Sequence, residues 1–128
     1  MKILGIGTDI IENKRIKKSI KNNKFKKRIY SSNELKQANL LKNEISFFSK
    51  RYAAKEAFTK ALGTGFRNNL NFKDIEVIND KMGKPFYLKT KKITKIIEKK
   101  FKVKNFNCFL SISDEKDYST AFTIIQSI

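Results

Sequence analysis

Arg51-Tyr52-Ala53-Ala54-Lys55-Glu56-Ala57-Phe58-Thr59-Lys60-Ala61-Leu62-Gly63 is the stretch that organises the chain. It is rich in good helix formers and ends on glycine, the residue that most readily takes the left-handed turn closing a helix. Extended towards the N-terminus, the pattern predicts one long helix over residues 46–62. Phe47, Ala54, Phe58 and Ala61 recur at helical spacing, so one face belongs to a core. Glu56 sits one turn after Tyr52 and one turn before Lys60, which puts all three on one stripe. The small residues Ala53, Ala54 and Ala57 would let another element approach closely. Glu56 is therefore either half of a solvent-facing Glu–Lys pair or a carboxylate held against a neighbouring element.

On the N-terminal side, residues 2–6 read as a short apolar strand broken by two glycines, with Asp9 following at its end. An aspartate at a strand-to-helix junction is an N-cap. If it instead meets Glu56, two carboxylates and water make an oxygen site suited to Mg²⁺ rather than zinc. Residues 12–22 turn helical, with Ile16 and Ile20 one turn apart and Lys14, Arg15, Lys17, Lys18 and Lys21 on the other faces. Residues 24–30 continue basic and helical, and Ser31-Ser32-Asn33-Glu34 is a capping-box pattern opening a helix to about residue 41. Beyond the long helix, residues 74–78 and 85–88 read as strands around the turn residues 79–84. Ile93, Ile96, Ile97 and Phe101 mark an amphipathic helix. Strands at 106–113 and 118–125 close a hairpin through Asp114-Glu115-Lys116-Asp117. Neither a repeat nor a linker divides the chain. The expectation is one α+β domain over residues 1–128, with antiparallel strands packed against a long central helix.

Composition narrows the chemistry. The 128 residues contain no histidine. That excludes an imidazole base, a His-ligated zinc and any Ser-His-Asp arrangement. Acid–base work falls to carboxylate, Lys, Tyr or metal-bound water. Ser111 and Ser113 lie one strand period apart with no base beside them, so neither reads as a nucleophile. The lone Cys108 cannot form an internal disulfide and alternates with the core face, which makes a reducing cytoplasm the default and an inert thiol the reading. No apolar run approaches the ~20 residues of a membrane span, and the N-terminal segment is too short and too soon acidic for a signal peptide. Net charge is +17, from 29 Lys+Arg against 12 Asp+Glu. Part of this reflects a palette of Lys, Asn, Ile and Phe typical of A- and T-rich codons. The rest implies a polyanionic partner: nucleic acid, a phosphate-rich cofactor or an acidic protein. Phe25 and Tyr30 among lysines keep a nucleic-acid-binding module open as the alternative, although no zinc finger or RNP motif is present.

Six segments follow one another in order: Gly5-Ile6-Gly7-Thr8-Asp9-Ile10-Ile11-Glu12, Phe48-Ser49-Lys50-Arg51-Tyr52-Ala53-Ala54-Lys55-Glu56-Ala57, Ala61-Leu62-Gly63-Thr64-Gly65, Asp74-Ile75-Glu76-Val77, Gly83-Lys84-Pro85 and Leu110-Ser111-Ile112-Ser113. Together they span essentially the whole chain and resemble the holo-acyl-carrier-protein synthase family of small phosphopantetheinyl transferases. The resemblance implies the 4′-phosphopantetheinyl transferase fold and transfer of 4′-phosphopantetheine from coenzyme A to a serine of acyl carrier protein, releasing adenosine 3′,5′-bisphosphate. It further implies Mg²⁺, a homotrimer with active sites at subunit interfaces, and a cytoplasmic role in fatty acid biosynthesis. By the same resemblance Asp9 and Glu56 hold the metal, Lys60 lies near the diphosphate, and Gly65, Pro85 and Ser111 fall in segments lining the coenzyme A site. Arg15 falls on the helix that receives the acidic carrier protein. Such chemistry develops negative charge on the departing nucleotide, which a cation and Lys60 would stabilise. It also needs an acceptor for the serine proton, assigned here to Glu56 acting through water. Two positions where the family commonly has histidine hold Phe109 and Asp114. That departure puts phosphate contacts of this strand in question and leaves an inactive scaffold homologue as a further alternative. Arg67 and Asn68 are candidate replacement donors.

Overall fold

The computed structural model describes residues 1–67 and 69–128, so Asn68 lies outside the described residues. The chain runs β1 (Lys2–Glu12), α1 (Asn13–Ser19), α2 (Asn23–Ile29), α3 (Ser32–Ala38), α4 (Glu44–Leu62), a 3₁₀ turn (Phe72–Asp74), β2 (Val77–Asn79), β3 (Pro85–Tyr87), α5 (Lys91–Phe101), β4 (Phe106–Asp114) and β5 (Tyr118–Ser127). The α+β reading holds: an antiparallel sheet of order β1-β5-β4 packs against α4, and the β2–β3 ribbon lies beside β4.

Local chemistry sets the helix ends. The Asn43 side chain accepts from Ser46 N and starts α4 two residues before the position expected from periodicity. Gly63 closes it at φ 81°, a left-handed conformation that costs glycine little. Ser31 and Glu34 form the expected capping box of α3. The basic stretch expected as one helix from 12 to 22 is shorter, because Ser19 bonds back to Arg15 O and Asn22 turns to cap α2.

The first strand departs most from expectation. Gly5 and Gly7 do not break it: β1 pairs with β5 from Lys2↔Ser127 to Glu12↔Tyr118, with one irregularity between Ile3 and Gly5. The glycines are there because α4 lies against the strand backbone. A Cβ on Gly7 would stand 1.9 Å from the Ala57 carbonyl oxygen, and one on Gly5 1.9 Å from that of Ala61. Asp9 is therefore inside a strand and is not a helix N-cap; the residue before α1 is Glu12, which makes no side-chain capping bond. The strand expected at 74–78 begins only at Val77 and runs to Asn79; Asp74 ends a 3₁₀ turn in which its carboxylate folds back to accept Asn71 N.

The core lies between α4 and the sheet, with Phe48, Phe58, Leu62, Phe106 and Ile125 buried. Tyr87 joins three elements there: its hydroxyl donates to Ala54 O at 2.6 Å and lies 2.6 Å from Thr123 Oγ1. The opposite sheet face is uncovered. Ile6, Ile124 and Phe109 form one row across the three strands, and Thr8, Phe122 and Ser111 form the next.

Candidate active site

The register of β1 decides where Asp9 points. It shares the face of Gly7 and Ile11, towards α4, where the glycines have brought the helix close. Across that contact Lys60 donates to Thr8 O at 3.0 Å and to Asp9 Oδ1 at 3.2 Å. The expected intrahelical Glu56–Lys60 pair is thus replaced by a bond between elements, because β1 offers a carboxylate and a carbonyl within reach of one ammonium.

Glu56, one turn before Lys60 on α4, is within range of the Asp9 charge. Partial burial pushes the Glu56 carboxyl above its ordinary range, and the charge of Asp9 pushes it further; the Tyr52 hydroxyl, Lys60 and Arg15 pull against both. Asp9 is raised as well, by burial first, although Lys60 and Arg15 oppose it. Both carboxyls are thus partly desolvated, and the charge of one acts on the other. Such a pair takes a hard cation readily. Among the described residues no cluster of three or more His, Cys, Asp or Glu side chains is placed to hold a metal. A cation here would have two protein carboxylates, with water or substrate oxygens completing its shell. That all-oxygen, half-open donor set suits Mg²⁺.

Tyr52 borders the pair on the same stripe of α4. Its ring is stacked between Phe25 of α2 at 6.3 Å and Phe72 at 5.5 Å. Its phenol is raised by burial and then by Glu56, which places its hydroxyl beside that carboxylate. Arg15, on exposed α1, lies near enough for its charge to lower both carboxyls. The docking position named from the sequence therefore adjoins the carboxylate pair.

The remaining site residues lie apart. Ser111 projects from the uncovered sheet face, opposite to Asp9, and is separated from β1 by β5. Pro85 begins β3, beyond β4. Gly65 lies in the loop leaving α4. Phe109 projects half-exposed from the same face as Ser111. Asp114 is engaged elsewhere, accepting from Ser46 Oγ at 2.8 Å at the start of α4. A concavity of about 510 Å³ between α1, the start of α4 and the β4–β5 turn does not include Asp9 or Glu56 in its wall. Asp9 thus lies towards one edge of the sheet and the Ser111–Pro85 region towards the other. Burial also raises the Cys108 thiol to about 12, as an inert packing residue requires.

The sequence reading left one buried group without a role. Lys55 is wholly buried and pairs with Glu34 at 2.8 Å. The available signal was its place on the stripe of Phe48, Phe58 and Leu62, where a lysine must find partners or leave the core.

Residues 5–123 match the family described as the 4′-phosphopantetheinyl transferase superfamily. A holo-[acyl-carrier-protein] synthase of Pelagibacter ubique is 64% identical over 126 residues, covering 98% of each chain. One of Buchnera aphidicola is 44% identical, covering 98% of this chain and 99% of the other. Among solved structures, a holo-(acyl-carrier-protein) synthase from Bacillus anthracis in complex with CoA (3′,5′-ADP) superposes with a TM-score of 0.82 at 38% identity over all of both chains. That from Neisseria meningitidis gives 0.88 at 36% identity, covering 98% of this chain and 99% of the other. With sequence and fold in agreement, the chain belongs to the 4′-phosphopantetheinyl transferase superfamily, among the holo-[acyl-carrier-protein] synthases.

Proposed function

We propose that the chain transfers 4′-phosphopantetheine from coenzyme A to a serine of apo acyl carrier protein, releasing adenosine 3′,5′-bisphosphate. The observation that carries this is Lys60 of α4 bonded to Asp9 of β1, with Glu56 one turn earlier on the same helix, in a chain of this family. Asp9 and Glu56 would hold Mg²⁺, which supplies Lewis-acid charge for a diphosphate when bound.

The chain's own groups do the rest. Lys60, steadied by Thr8 O and Asp9, presents an ammonium to the negative charge that grows on the departing phosphate. Glu56, its carboxyl raised by burial and by Asp9, takes the carrier serine's proton through an intervening water. Arg15 and the lysines of α1 receive the acidic carrier protein and orient its serine towards the pair. Gly65, Pro85 and Ser111 hold the coenzyme.

The separation of Pro85 and Ser111 from the carboxylates supports a homotrimer in which one subunit's Ser111–Pro85 edge completes its neighbour's Asp9–Glu56 edge. The apolar row of Ile6, Ile124 and Phe109, exposed at Ile6 and Phe109 and half-buried at Ile124, supplies a surface for that contact. No helix among the described residues is long and apolar enough to cross a membrane. We place the reaction in the cytoplasm, in fatty acid biosynthesis. Intact-mass spectrometry of an acyl carrier protein incubated with coenzyme A, Mg²⁺ and this protein tests the reading. A gain of one phosphopantetheine is expected; no gain on any of several carriers overturns it.

A further inference from the structure

Lys55 and Glu34 make a buried charged pair that the transfer chemistry does not use. The Lys55 ammonium has three protons and three acceptors: Glu34 Oε1 at 2.8 Å, Phe72 O at 3.0 Å and Ile75 O at 2.7 Å. Glu34 also accepts from Ser31 N at 2.9 Å and from Val77 N at 3.1 Å. One pair thus ties α3 and α4 to both ends of the 72–77 segment. A buried ion pair adds little net stability over apolar residues of similar volume. What this one adds is placement, since four of its five partner bonds end on backbone atoms at fixed positions.

Phe72 carries that placement onward. Its ring stacks on Phe66 at 3.9 Å, and Phe66 directly follows Gly65. On its other side it stacks on Tyr52 at 5.5 Å, beside Glu56. The loop leaving α4 is therefore seated near Gly65 by a ring whose own backbone Lys55 holds.

We propose that Glu34 and Lys55 are positioning residues for coenzyme A binding: by fixing Phe72 they seat Phe66 and, with it, the Gly65 loop. This rests on the transferase reading above, and the experiment separates the two. Coenzyme A affinity is measured by calorimetry for the wild type, for Glu34→Gln/Lys55→Met and for Phe72→Leu, with melting and steady-state kinetics on the same samples. The double variant removes both charges together, so neither is left orphaned in the core. Phe72→Leu keeps the pair and its backbone acceptors but removes the ring stack. Both should raise the coenzyme A Kd and KM about tenfold with kcat at saturating coenzyme A within about twofold. Combining all three substitutions should be no worse than the weaker-binding variant, because they act through one contact. A purely structural pair would lower the melting temperature and leave Kd alone. A wild type that binds no coenzyme A overturns the transferase reading and this proposal with it. A wild type that binds, with Phe72→Leu matching it within twofold, overturns this proposal alone.

Discussion

Glu56 and Asp9 are ionised at a cost that the isolated chain does not recover. Burial raises both carboxyls, and each is opposed only in part by Lys60 and Arg15. A carboxyl whose folded pKa is raised destabilises the fold wherever it must be ionised. The cost is absent below the unfolded pKa, grows as pH rises through the ordinary carboxylate range, and is complete above the raised folded value. Glu56→Gln should therefore melt above the wild type at pH 7–8 without metal, and the gain should vanish below about pH 4. Added Mg²⁺ should stabilise the wild type and leave Glu56→Gln nearly unchanged. The same substitution should lower transfer by about a hundredfold or more. Scanning calorimetry across pH, with and without Mg²⁺, measures the first two effects; a wild-type response to the metal in Glu56→Gln would remove this carboxylate from the metal site.

Between elements, the approach of α4 to β1 is what makes the site. No side chain fits between Gly7 and the Ala57 carbonyl, so Gly7→Ala must push the helix off the strand or bend both. Overpacking of this kind costs about 3 kcal/mol, and it should also reduce transfer, because Asp9 is two residues further along the displaced strand. Ser31→Ala is the contrasting case. It removes a cap bond at the start of α3 and should cost about 1 kcal/mol without affecting transfer. Urea unfolding and initial rates on both variants measure the difference; a Gly7→Ala protein as stable as Ser31→Ala would show that the helix can retreat freely.

At the level of the whole molecule, charge and the uncovered sheet face act together. Lys18 and Arg15 both lie on α1, but Arg15 is the one whose charge reaches the carboxylates. Charge reversal at either should weaken carrier-protein binding by about 1–3 kcal/mol, increasingly so at low salt. Arg15→Glu should in addition lower kcat, while Lys18→Glu should not. Affinity and turnover measured at two ionic strengths separate the two roles. Phe109 is 49% exposed in the row with Ile124 and Ile6. On the proposed trimer, with sites completed between subunits, Phe109→Asp should give a monomer in sedimentation and abolish transfer. Mixing inactive Glu56→Gln with an inactive variant at Pro85 should restore activity if the halves come from different subunits. Failure of the mixture to recover any turnover would confine the site to one chain.

The capping box that opens α3 (which itself stops at Ala38, short of the expected residue 41), the glycine that closes α4, the amphipathic helix and the terminal hairpin were legible in the sequence, because caps, periodicity and turn residues act over a few neighbours. So were the exclusion of imidazole chemistry and the identity of Asp9, Glu56 and Lys60 as candidates. Three things were decided only by tertiary structure. Gly5 and Gly7 read as strand breakers locally, whereas the reason for them is a helix backbone fifty or more residues away. Lys60 looked like the partner of Glu56 along one helix, and instead bonds to Asp9 across two elements. Lys55 drew no role from the sequence, and is buried because Glu34 and two carbonyls converge on it. In each case the deciding contact joins residues whose separation no local pattern encodes, and only packing sets which polar groups meet and which face one another unneutralised.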